Sequence, residues 1–153
     1  MRIVQAVKTL RSCSSVFMAG RLLATMSLAV LVVIPAAAQS FRSDSKRFGN
    51  PKMDIVLTET ERLARTSIVE IQIKTIGSSV GSSFFLLCSI RDLARQRGNY
   101  RYIVKVEEQP RHNQMLVGFL NNSDEAPELL DTRLAGQKVI DLEYFAPMCD
   151  TMK

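Results

Sequence analysis

Cys88 and Cys149 carry the chemistry that the sequence constrains most. The third cysteine, Cys13, lies in an N-terminal stretch that reads as a cleavable export leader, so the mature chain keeps an even pair. In an oxidising compartment such a pair is expected as one disulfide. The enclosed loop is about 60 residues, for which chain entropy gives roughly 4 kcal/mol of stabilisation. On a helical wheel Cys88 sits off the apolar stripe, on the side of Phe84, Arg91 and Arg95. A bond to Cys149 would strap residues 145–148 across the helix and cover Phe84. The alternative is a reactive Cys88 thiolate, favoured by Arg91 and Arg95 one and two turns further on. No Cys-x-x-Cys is present, and no histidine is near in sequence.

The other candidates have weaker chemistry. Residues 77–83, Gly-Ser-Ser-Val-Gly-Ser-Ser, offer glycines, serines and a helix N-terminus, the parts of an anion cradle. No Lys follows Gly81, so this is not a nucleotide-binding P-loop, and a serine-capped connection is expected. His112 is the single histidine; alone it builds neither a usual zinc site nor an identifiable nucleophile–base pair, and a surface loop position is expected. Arg91, Arg95, Arg97, Arg101 and Lys105 form a basic set interrupted by Asp92, Glu107 and Glu108, expected as a solvated helix face rather than a phosphate-binding one. Asp54, Glu59 and Glu61 imitate paired carboxylates, but nothing places them across a scissile bond. Asn121-Asn122-Ser123 fits a glycosylation acceptor, which matters only in a eukaryotic secretory pathway. No catalytic, metal-binding or cofactor-binding residue is assigned.

The compartment follows from the first forty residues. Arg2, Lys8, Arg11 and Arg21 precede an apolar run over residues 22–34, and no acidic residue occurs before Asp44. The run ends in Pro35-Ala36-Ala37-Ala38-Gln39. A basic flank, a 13-residue apolar segment and a small-x-small site make a secretory signal, with cleavage after Ala38, before Gln39. Residues 22–38 are also long enough, at the lower limit, for an uncleaved anchor. The apolar run is too concentrated for an organelle transit peptide. A lipoprotein signal is rejected because Gln39, not cysteine, follows the run.

The expected organisation is thus a signal peptide (1–38), a flexible lead-in (39–52) and one domain (53–153). The chain carries +5 from 20 basic and 15 acidic residues. Without the leader's four cations, 16 face 15, so the excess is not a nucleic-acid footprint. Within the domain, Val69, Ile71 and Ile73 alternate with Glu70, Gln72 and Lys74, the period of a half-buried strand. Residues 53–61 suggest a shorter one. A helix over 83–97 is expected, capped by Ser82 or Ser83, ended by Gly98, with Leu86, Leu87, Ile90, Leu93 and Ala94 facing the core. Residues 100–107 form another strand, with Tyr100, Tyr102, Val104 and Val106 on one face. Residues 115–120 form a further strand, residues 121–127 a turn, and residues 129–134 a helical turn ended by Gly136. Residues 138–145 stay ambiguous. The fold class expected is α+β: a small antiparallel or mixed sheet with one main helix on one face.

The stretch 67–106 carries an alternating strand, a Gly-Ser break, Phe85-Leu86-Leu87-Cys88 in a helix, and then Arg97-Gly98-Asn99-Tyr100-Arg101-Tyr102-Ile103-Val104. It resembles small uncharacterised bacterial envelope proteins, many of them lipoproteins, in which a helix runs into Gly-x-x-Tyr-Phe-x-Val. Ile103 stands where an aromatic is common, and there is no lipidation cysteine. The resemblance implies a fold and a bacterial envelope setting, and no activity. The expected function is a non-catalytic exported module, periplasmic or secreted, that binds another protein or an envelope component. Contact with nucleic acid is not expected, and contact with membrane only through the leader or an uncleaved anchor. The rivals are an enzyme with a site built from scattered residues and a domain tethered by an uncleaved helix.

Overall fold

The computed structural model describes residues 40–48 and 51–151. Ala36, Ala38 and Gln39, and with them the expected leader and its cleavage site, lie outside them. Six strands form one antiparallel sheet: β1 (Arg42–Asp44), β2 (Asp54–Arg62), β3 (Thr66–Thr75), β4 (Tyr102–Glu107), β5 (Gln114–Leu120) and β6 (Ile140–Asp141). Their order is β1-β2-β3-β5-β4-β6. Among the described residues there are two α-helices, α1 (Ser79–Gly98) and the short α2 (Ala146–Thr151). Both β3 and β4 are antiparallel to β5, so they run parallel to each other with β5 between them. Parallel strands need a long crossover, and α1 supplies it.

β5 sits at the centre and is buried from Met115 to Leu120. Its apolar run without alternation is what cover on both faces demands. Met115, Val117 and Phe119 join Leu57, Val69 and Ile103 in one cluster with Ile90, Leu93 and Ala94 of α1. Leu116 and Leu120 turn the other way, into a second cluster with Ile68, Val104 and Leu134. The cover on that second side comes from two 3-10 turns, Pro127–Leu129 and Thr132–Leu134, where a single helical turn was expected. Gly118 lets this cover approach: a Cβ there would meet Leu134 Cδ1 at 2.6 Å and Val104 Cγ2 at 3.0 Å.

Four local expectations are corrected. Residues 42–48 are not a lead-in: they form β1 and a 3-10 turn, Ser45–Phe48. This polar segment is fixed by hydroxyls, with Ser43 Oγ 2.8 Å from Ser89 Oγ, and Ser45 Oγ donating to Met53 O and accepting from Ile55 N–H. α1 begins four residues early, because Ser78 rather than Ser82 or Ser83 caps it by accepting from Gly81 N–H at 3.1 Å. Asn99, at φ 60°, takes the left-handed cap position after Gly98. Tyr100 does not share a face with Tyr102; its ring lies 5.5 Å from that of Phe119, in the cluster with α1. The ambiguous tail resolves into β6, a 3-10 turn (Leu142–Phe145) and α2.

Candidate functional site

Cys88 and Cys149 are joined in a disulfide, with their Cα atoms 5.3 Å apart. Both are buried, so the reactive-thiolate alternative is excluded in this oxidised state. The bond ties α2 to the middle of α1. One turn along, Arg91 Nη1 donates to Asp150 Oδ1 at 2.8 Å, and Arg95 lies 4.0 Å from the same oxygen. The arginines read as thiolate stabilisers therefore hold the residue next to Cys149. Arg91 is only 2% exposed, not part of a solvated face.

The remaining basic residues are dispersed onto separate acids. Arg97, whose side chain is 4% exposed, bonds Glu59 and the carbonyls of Ala64 and Thr66, pinning the β2–β3 turn to α1. Arg101 pairs with Asp141 at 2.7 Å, and Lys105 with Glu107. No phosphate-binding row results. Glu59 is buried among Arg62, Arg97 and Ser67. Burial alone would raise its carboxyl, but the hydrogen bonds from Arg62 and Ser67 outweigh that and hold it below its ordinary range. Asp54 pairs instead with Lys46 at 3.1 Å and lies five residues from Glu59 along β2, roughly 16 Å by strand rise, and Glu61 is exposed. The three carboxylates do not converge. The serines of residues 77–83 serve the helix itself: Ser82 Oγ and Ser83 Oγ both donate to Ser79 O. Asn121 and Ser123 stand on an exposed turn. Among the described residues no three His, Cys, Asp or Glu side chains are grouped to hold a metal, and no helix is long and apolar enough to cross a membrane.

What the sequence reading missed is a groove of about 780 Å³ between α1 and the ends of β3, β4 and β5. It exists because of register. β3 pairs with β2 as far as Thr75, but with β5 only as far as Glu70, opposite Gln114. Beyond that the β4–β5 connection folds on itself, with Gln114 N–H bonded to Arg111 O, and leaves a notch beside β3. Ile71, Ile73, Ile103 and Met115 line the notch from the strands. Leu86, Leu87 and Ile90 line it from α1. Leu86 and Leu87, expected in the core, are only half-buried; Phe85 is the buried side chain, packed with Met53 and Ile55.

The polar end of the groove holds Lys105, Glu107, Glu108, His112, Asn113 and Gln114. His112 is 90% exposed, its Nδ1 3.0 Å from Glu108 Oε1. Ser83 supplies the lining's hydroxyl, and it is turned to Ser79 O rather than to His112. An aliphatic groove of this size with a few polar groups at one end has the make-up typical of a ligand pocket. No family model matches the chain, and no curated protein or solved structure is found similar to it.

Proposed function

We propose that this chain is an exported, non-catalytic binding module of the cell envelope, periplasmic or secreted, whose binding element is the groove between α1 and the ends of β3, β4 and β5. The groove's half-buried aliphatic lining carries this reading. Leu86 and Leu87 are surrendered from the core to a surface cavity, which costs stability unless something covers them. The leader motif and the buried disulfide support export, because such bonds persist in oxidising compartments. The shared cluster of Ile90, Leu93 and Ala94 with the strands supports α1 lying on one face of the sheet, which makes it a rigid groove wall. The partner class is a protein or an envelope component.

The test compares the mature chain with its Ile73→Arg variant in affinity capture from envelope extracts. Ile73 is 53% exposed, so arginine is tolerated there while its guanidinium overhangs the groove. A component captured by the wild type and lost from an equally stable variant supports the reading. Equal capture by both places binding elsewhere and refutes it. N-terminal sequencing of exported protein, expected to start at Gln39, tests the leader.

A further inference from the structure

We infer that the groove receives an extended polypeptide segment, which adds as a strand to the free edge of β3; this rests on the groove being the binding element. Ile71 N–H points toward β5 and donates to Asn113 O at 2.8 Å. Peptide groups alternate in direction along a strand, so the N–H and C=O of Ile73 point the same way. No residue of β5 lies opposite them, since the register ends at Glu70↔Gln114. On its other side the same stretch is paired with β2 in register as far as Ile55↔Ile73 and, past a one-residue register shift, through Asp54↔Thr75. The result is a strand end fixed on one side and open on the other, with its open side bordering the groove.

That juxtaposition selects the ligand. A strand laid against β3 satisfies the Ile73 peptide group, and its alternate side chains drop beside Ile71 and Ile73 toward Leu86 and Leu87. An aliphatic chain would fill the groove but cover the Ile73 donor and acceptor without bonding them, which is unfavourable. Charge narrows the choice further. One cation, Lys105, faces two carboxylates, Glu107 and Glu108, so these three groups leave the rim net negative. An uncharged or basic segment fits it and an acidic one does not. The apolar surface also runs on past the groove: Ile73, Ile76 and Val80 are 53%, 50% and 65% exposed.

Amide and methyl NMR on the oxidised domain tests this with three probes. The first is a capped Lys-Val-Thr-Val-Lys peptide, the second is the same peptide N-methylated at alternate residues, and the third is laurate. The expected result is saturable shifts at the amides of residues 72–75 and the methyls of Leu86 and Leu87 with the first peptide. N-methylation on the bonding edge should weaken binding about tenfold, the effect of losing two hydrogen bonds. Shifts with laurate confined to the methyls, and none with the peptide, overturn strand addition while leaving the groove a binding site. Equal binding of the methylated peptide, or no response to any probe, also overturns it.

Discussion

Replacing both Cys88 and Cys149 by alanine should remove more stability than any other change of similar size. The bond spans 61 residues, so its effect on the unfolded chain corresponds to about 4 kcal/mol. A second loss follows from the local structure. α2 has six residues, far too few to persist without an anchor. Once it detaches, the buried Arg91 guanidinium loses Asp150, which adds about 1–3 kcal/mol. Against a typical total of about 5–15 kcal/mol, the variant should be close to its unfolding threshold at body temperature. Urea unfolding of the oxidised wild type, the double variant and Asp150→Ala measures the terms separately. Asp150→Ala should lose only the smaller part, because the disulfide still holds α2 near α1. A double-variant loss under about 1 kcal/mol would refute the account of α2 as a cross-linked strap.

Gly118→Ala should cost about 1–3 kcal/mol by overpacking, since the new methyl meets Leu134 at 2.6 Å; Leu134→Val in the same background should recover part of it in thermal melts. Folding favours ionised Glu59, whose carboxyl is held below its ordinary value despite burial. That stability is full above the unfolded carboxyl's value of about 4.3 and is lost as pH falls through the lower folded one. Glu59→Gln should therefore be less stable at pH 7 but lose less on acidification below about pH 4, read from melting temperatures across pH.

The regular parts of the fold were legible because their periods are set by what covers them. The alternation of Val69 to Lys74 marks a strand, although its burial fades along β3 instead of alternating, with Ile73 53% exposed; β5 is continuously apolar where both faces are closed, and the cysteine pair outside the N-terminal stretch forms the disulfide. β1 and the 3-10 turn after it were not legible, since their buried side chains, Ser43 and Ser45, are serines whose partners, Ser89 and the backbone of Met53 and Ile55, come from elsewhere in the chain. The helix start was missed because four serines compete for the cap and only Ser78 adopts the extended backbone it needs. Arg91 and Arg97 were placed on the surface, the usual site of an arginine; carboxylates 59 and 38 residues away in sequence bury them. The groove depends on where β3 stops pairing with β5, a register that no single segment encodes.

The central claim, that the groove is the surface this protein uses, is tested most directly by site-specific photo-crosslinking in intact cells. A photoreactive residue replaces Ile73 in one strain and Leu129, 77% exposed, in another. A discrete adduct is expected from position 73 and none from position 129. Adducts from position 129 alone, or no difference between the two, would contradict it.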